Sequence, residues 1–396
     1  MITMIENFLG GDNSLIGTIT SVIFLLFIVF YQKIMIMQTL WRAEKDLKTL
    51  DEYTKKAEGY VLHNISKKPD KKLKHDISNF MDFFISTPVD VDPYGILNKI
   101  EHIMNESERR FNYFVDTIAP NHNMTEKANL RFGLIGALGV NQIYKIVRHL
   151  IITIKKTNNL QMVLILQMYM PLLLKMAKGN VKATHAFIKG IPIGDAIGPM
   201  LAASFKTKEG EEIAKDVLVS EEAIEGKTVF VMKAKGPGAS LGKLGKAVEA
   251  LRERENIDHI ITMDAAGKLE GEETGSIAEG VGVMMGGIGV ERSKIEEVAL
   301  KHDLPLDGVA IKMGIMEASS PLHKKVFSSR DKARDVVKRL IKETRNEKIL
   351  LLGVGNSCGI GNTKTSLAGL EVKLKPIWKK QKQEEEEEEK KERGWF

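Results

Sequence analysis

Residues 15–31 read LIGTITSVIFLLFIVFY, an almost wholly apolar run without one charge. About seventeen residues is the lower end of what a helix needs to cross a hydrocarbon core of roughly 30 Å. Ile34, Met35, Ile36 and Met37 lengthen the apolar stretch, and Lys33 is placed to reach back to a lipid interface along its own methylene stem. Three structures suit such a run: a membrane anchor, a cleaved secretory signal or a buried core helix. A secretory signal starts basic and ends in a small-residue cleavage site. Here Glu6 and Asp12 precede the run, no lysine or arginine does, and no A-x-A pattern follows. The expectation is an uncleaved anchor over 15–37. Lys33, Arg42, Lys45 and Lys48 follow it, which places residues 1–14 outside and the bulk of the chain in the cytoplasm of a single-pass cell-membrane protein.

Beyond the anchor, 396 residues leave room for two domains. The net charge of +6 is spread along the chain and fits a membrane-proximal protein near anionic lipid. With no helix-turn-helix and no aromatic-basic motif, nucleic acid is not an expected partner. The lone Cys358 excludes an intrachain disulfide framework and agrees with a reducing compartment.

Residues 38–189 read as a helical domain. Ile36, Leu40, Ala43, Leu47, Leu50, Thr54, Ala57 and Val61 recur at alternating spacings of four and three, as in a coiled-coil stalk or an ordinary amphipathic helix. Further helices are expected near 71–86, 94–118 and 125–155, the second started by Asp92-Pro93. The segment 160–177 is apolar enough to span a membrane. Gln161, Gln167 and Pro171 interrupt it and lysines bracket it, so a buried core helix is expected there.

From 190 to 370 the texture changes to short apolar runs, glycine turns and amphipathic helices. Strands are expected at 228–236, 258–267, 308–315 and 348–356, with helices at 241–255 and 329–346. Strands alternating with helices predict an α/β domain with a largely parallel sheet, of the phosphorylase/hydrolase-like kind. The charge block within 371–396 is expected to be a disordered tail.

Sites in open α/β sheets form outside the carboxyl ends of the strands. Three segments fall there: GIPIGDAIGP (190–199) with Asp195, the strand end at Asp264, and GVGNSCGIGN (353–362). At these residues the whole chain resembles an uncharacterised archaeal membrane-anchored family, domain of unknown function family 1512. The 190–362 region also resembles the germination protease and hydrogenase maturation protease fold. Asp195-Ala-Ile-Gly198-Pro199 is similar to the first acidic motif of that fold, and Ile261-Thr-Met-Asp264-Ala265 to the second. Gly287-Ile-Gly289-Val-Glu-Arg292 follows in the same order, then Leu304-Pro305 through Glu317-Ala318. The strand Gly353-Val-Gly355-Asn356 comes last in this chain and first in those families. The resemblance therefore implies a circular permutant whose last strand packs beside the Asp195 loop.

The resemblance implies Asp195 and Asp264 as catalytic carboxylates of a peptidase-like hydrolase acting on protein or peptide substrates. Two close carboxylates sharing a proton can activate water with one member and protonate a leaving group with the other. Gly194, Gly198, Lys268, Gly287, Gly289, Arg292, Gly353, Gly355 and Asn356 are the expected ligand-binding positions. In the hydrogenase-maturation pattern acidic groups and a histidine gather a metal. Here His302 and His323 are the nearest histidines after Asp264. Glu270, Glu272 and Glu273 offer oxygen ligands for a divalent cation or form a solvated loop. Lys268 could pair with Asp264 and spoil a shared-proton dyad. The competing role for both aspartates is structural, as a helix cap and a turn acceptor. On that reading the domain is an inactive membrane-tethered scaffold or sensor that binds a phosphorylated ligand or a protein partner through its glycine loops. KGPGASLGKLGKA (235–247) and GIGNTKTS (359–366) miss the phosphate-loop spacing but leave a looser anion cradle open.

Overall fold

The computed structural model describes residues 15–83, 85, 95–283 and 289–393. The expected N-terminal segment 1–14, the helix start at Asp92-Pro93 and Gly287 lie outside the described residues. Five helices come first: α1 (Leu15–Ile65), α2 (Lys71–Phe80), α3 (Ile96–Ile118), α4 (Met124–Thr157) and α5 (Leu160–Ile188). In α1, Ile36, Ala43, Leu50 and Ala57 are buried at every seventh residue, so the stripe read from the sequence is a packing seam. Asp70 caps α2 by accepting the Leu73 N–H at 2.7 Å.

The chain divides into two compact units that cut across these helices. One holds the described residues up to Thr54 together with Val140–Ala177; the other holds Lys55–Gly139 and everything from Lys178 onward. Helices α1, α4 and α5 are each long enough to contribute residues to both units. In the first unit Val147, Ile151 and Ile154 of α4 and Val163, Leu166 and Met170 of α5 are buried, and Lys155 pairs with Glu44. Among the described residues, α5 is the one helix that meets the length and composition needed to cross a membrane, and 22% of its most apolar window is buried. That corrects the expectation of a buried core helix at 160–177. Leu164, Ile165, Met168, Tyr169 and Leu172 leave one apolar face of α5 exposed.

The second unit contains the α/β domain. Its elements are a 3-10 turn (Gly194–Ala196), α6 (Ile197–Phe205), β1 (Glu211–Ala214), β2 (Val217–Ile224), β3 (Lys227–Ala234) and α7 (Leu244–Glu255). Next come β4 (His259–Gly267), β5 (Ile277–Val281), α8 (Val290–Lys301), β6 (Leu306–Met313), α9 (Ile315–Ser319), α10 (Lys324–Glu343), β7 (Lys348–Gly353) and α11 (Leu370–Arg393). The seven strands lie in the order β1-β2-β3-β7-β4-β6-β5. Only the central ladders β3/β7, β7/β4 and β4/β6 are parallel; β1/β2, β2/β3 and β5/β6 are antiparallel. The sheet is therefore mixed rather than largely parallel. The physical reason is partly local: Glu225 and Gly226 both take positive φ, the two-residue turn that folds β2 directly back onto β3.

Residue parity divides the core between the two faces of the sheet. Val229, Val231, Ile261, Ile349 and Leu351 pack with α6, α10 and α11, whereas Phe230, Met232, Ile260, Leu350 and Leu352 pack with α7 and α8. The C-terminal segment is also a correction, since α11 is helical where a disordered tail was expected. Leu370, Leu374 and Trp378 recur every four residues and are buried, and the Trp378 indole N–H donates to the Leu322 carbonyl at 2.9 Å. Lys182 holds Glu384 at 2.7 Å, so part of the acidic block is paired rather than merely solvated.

Candidate functional site

β4 and β7 are adjacent parallel strands, and their carboxyl ends carry Asp264 and the Gly353–Asn356 loop. Helix α6 presses onto both ends. A Cβ on Gly198 would lie 2.0 Å from the Val354 carbonyl oxygen and 2.5 Å from that of Met263. Gly355, at φ +128°, leaves room for the Asp195 carbonyl, which a Cβ there would approach to 2.1 Å. Gly353 makes the same allowance for Gly198 and Ala202, and Gly194 for the Glu317 carbonyl. The last strand of the sheet thus packs beside the loop that bears Asp195. These four glycines spend their freedom on close approach of the chain to itself.

Asp195 is half-buried in the 3-10 turn ahead of α6, and its Oδ2 accepts the Asn356 N–H at 2.8 Å. The Asn356 side chain accepts the Cys358 N–H at 2.9 Å, which fixes the loop. Asp264 is 3% exposed and accepts the N–H of Ala265 at 2.6 Å. Burial raises the Asp195 carboxyl above the usual carboxylate range, and the Asn356 N–H opposes the rise. Burial raises Asp264 further, the charge of Asp195 adds to that rise, and only the Ala265 N–H opposes it. Asp264 therefore lies in the field of the Asp195 charge in a desolvated place.

Lys268 does not neutralise Asp264. Its backbone N–H donates to Met313 and its ammonium reaches the Glu272 carbonyl at 3.4 Å. Glu272 in turn binds Lys312, while Glu270 and Glu273 are exposed. Among the described residues, no group of three or more histidine, cysteine, aspartate or glutamate side chains is arranged to hold a metal. His323 caps α10 and faces Glu385, and His302 ends α8. Arg292 is engaged by Glu296 one turn along α8, with Gly289 at the N-cap of that helix. Neither is brought to the aspartates.

The two glycine loops read as a loose anion cradle are stitched to one another. Gly359 N–H donates to Pro237, Gly236 N–H to Asn362 Oδ1, and the Ser357 hydroxyl bonds the carbonyls of Lys235 and Gly238. These three donors are spent within the protein.

Sequence reasoning missed two buried clusters. Lys206 and Lys233 are both fully buried, at the end of α6 and the end of β3. Burial brings Lys206 down to about 8; burial and the neighbouring Lys206 charge bring Lys233 down to about 7. The parity of Lys233 with inward-facing Val229 and Val231 was the available signal. His259 is the second case, bonded at 2.8 Å to Asp307 and at 3.0 Å to Thr344. Its partners lie 48 and 85 residues away, beyond the reach of local pattern.

No curated protein and no solved structure matches the chain. Two family descriptions do: "Protein of unknown function (DUF1512) N-terminal domain" over residues 17–190, and "Domain of unknown function (DUF1512) C-terminal" over residues 193–361. They meet at the passage from α5 to the Asp195 loop, and the chain belongs to the DUF1512 family.

Proposed function

We propose that the protein is a membrane-tethered, aspartate-dependent hydrolase that cleaves peptide bonds through Asp195 and Asp264. The observation that carries this reading is the carboxyl pair: Asp264 is buried at the carboxyl end of β4 in the field of Asp195, which the Asn356 N–H holds beside the end of β7. The nearest expected counter-cation, Lys268, is engaged elsewhere. A structural aspartate is ordinarily paired with a cation or surrounded by donors, whereas a pair held in conflict stores a proton.

The assignment of roles follows from the hydrogen bonds and burial. Each carboxyl accepts one backbone N–H, and Asp195, raised less than Asp264, is the base that takes a proton from water. Asp264, pushed higher, keeps the shared proton. Hydroxide adds to the peptide carbonyl carbon, Asp264 gives its proton to the amide nitrogen, and the C–N bond breaks to release an amine and a carboxylic acid. The resemblance to the germination protease and hydrogenase maturation protease fold supports peptide bonds as the substrate class.

The tether in this reading is 15–37 of α1. Ile19, Val22, Ile23, Phe24, Leu25 and Leu26 are exposed on every side of that helix, as lipid requires. Helix α5 instead buries Val163, Leu166 and Met170 along one side and carries Lys175, Lys178 and Lys182. The cations after the anchor orient the α/β domain toward the cytoplasm. The test is cleavage of a peptide library by the full chain in lipid nanodiscs, with Asp195→Asn and Asp264→Asn alongside. Cleavage lost in both variants supports the dyad, and cleavage that survives either one removes it.

A further inference from the structure

Strand β4 outlasts its neighbour. On one side it pairs with β6 along its length, through Ala265↔Ile311, Ala266↔Lys312 and Gly267↔Met313. On the other side its pairing with β7 stops at Met263↔Gly353. There the chain leaves the sheet, and the last bond between the two runs from the Val354 N–H to the Met263 carbonyl at 2.9 Å.

The hydrogen-bond parity of β4 identifies which groups are left over. The N–H groups of Ile260 and Lys268 donate toward β6, to Pro305 and Met313, so even-numbered residues face that strand. Met263, Ala265 and Gly267 face the other way. Ala265 turns its N–H onto the Asp264 carboxylate. That leaves the Ala265 carbonyl and the Gly267 N–H, which take no hydrogen-bond partner among the described residues. Gly267 is exposed, and a Cβ on it would meet nothing within 4 Å. Unused main-chain groups on a sheet edge are a template for another strand.

We propose that the edge Asp264–Gly267 receives the substrate as an added β-strand, so that the substrate is an extended, unfolded polypeptide segment. This rests on the hydrolase reading of the same aspartates. In a parallel ladder, one residue of the incoming strand offers its N–H to residue i and its carbonyl to residue i+2. The two free groups, the Ala265 carbonyl and the Gly267 N–H, form such a pair. The incoming strand continues the line of β7, about 4.8 Å from β4. The Asp264 carboxyl, curled onto the Ala265 N–H, lies along the same edge. A main-chain grip discriminates little among side chains, and it rejects segments already folded into helix or sheet.

The test uses the full chain in lipid nanodiscs and a pooled library of short unstructured peptides. Binding is measured in the Asp264→Asn background to prevent turnover. Gly267→Pro deletes the free N–H without touching a bond to β6, and proline is tolerated where an edge N–H faces outward. Gly267→Ala keeps the N–H and has room for its methyl. The expected result is binding weakened about tenfold or more by proline and unchanged by alanine. Retained peptides should also lose affinity when N-methylated at the gripped residue. Equal binding by the proline and alanine variants, or no retained peptide at all, overturns the slot. If the proline variant melts early, the N-methyl series decides alone. Peptides held as described but never cleaved by the wild-type chain leave the slot standing and defeat the hydrolase reading. Cleavage that ignores both the proline and the N-methyl groups does the reverse.

Discussion

The two ends of β4 treat a buried polar side chain in opposite ways. At the amino end, His259 is 3% exposed and both ring nitrogens are satisfied, by Asp307 and by Thr344. Beside it the Asp258 carboxylate accepts the N–H groups of Glu347 and Lys348. At the carboxyl end, Asp264 is buried to the same degree, yet it has one backbone N–H and another carboxylate for company. The same strand thus carries a satisfied cluster and an unsatisfied one. Burial of a polar group costs free energy unless it is bonded, so the amino end is built to hold the fold. The carboxyl end is built at the expense of the fold, which is the pattern expected of a reactive site.

The largest effect that breaks this comparison is on rate. Asp264→Asn should reduce peptide cleavage by roughly 10²–10⁴-fold, the range over which a positioned acid or base contributes. It should not destabilise the protein. Removing a buried carboxylate that faces another one should raise stability at neutral pH by about 0.5–2 kcal/mol. A melt of the variant beside its rate checks both signs at once. A variant that loses activity together with several kcal/mol of stability would mean that Asp264 is structural.

The pH profile sharpens the assignment of roles. Both carboxyls are raised in the folded protein. The rate should fall on the acid side as Asp195 takes up a proton and on the alkaline side as Asp264 loses its own. The apparent values belong to the pair. Stability follows a different sign. The folded state binds more protons than the unfolded state between the ordinary aspartate value and the raised ones, so stability declines as pH rises through that interval. Asp195→Asn should remove the acid limb and shrink this decline. A rate profile that keeps its acid limb in that variant would take Asp195 out of the reaction.

At the amino end the expected effect is smaller and confined to stability. Asp307→Ala leaves the His259 ring nitrogen buried without its partner, a loss of about 1–3 kcal/mol in chemical unfolding. The cleavage rate per folded molecule should not change. A rate that fell with Asp307 would erase the distinction between the ends of the strand.

How far the sequence reveals these two ends is itself instructive. Asp195 and Asp264 are legible because each closes a short local pattern, a Gly-Asp-x-x-Gly-Pro turn and an apolar run ending in acid. The glycines that bring them together are legible as glycines, but their role is not, since it depends on carbonyls from segments far apart in the chain. The parallel centre of the sheet shows as continuous apolar runs. The antiparallel outer strands β1, β2 and β5 do not, because EEIA, VLVSEEAI and IAEGV mix charge and apolar residues as half-covered strands do. The helix α11 hides for a related reason: its three buried contacts precede a charge block that dominates any composition window.

The smallest effect concerns Lys206, on the same carboxyl side of the sheet, whose neighbour Lys233 sits opposite Gly353 in the β3/β7 ladder. Its ammonium is buried and bonded to nothing among the described residues. Glu222 and Glu209 attract it, but Glu222 is filled by Thr207 and Ser220, and Glu209 accepts from Asn362. Lys233 donates to Ala234 and Asn362 while bearing the repulsion of Lys206. Below about pH 7 both lysines carry a full charge in the folded protein and their burial costs the most. Stability should therefore rise with pH from about 7 toward 10.5, where the unfolded lysines lose their protons. Lys206→Met keeps the buried volume and removes one charge together with its repulsion of Lys233. It should stabilise the protein by about 1–2 kcal/mol near pH 7 and flatten that rise. A variant that is less stable, or that keeps the full pH slope, would show that Lys206 is held by an acceptor and belongs with the satisfied groups after all.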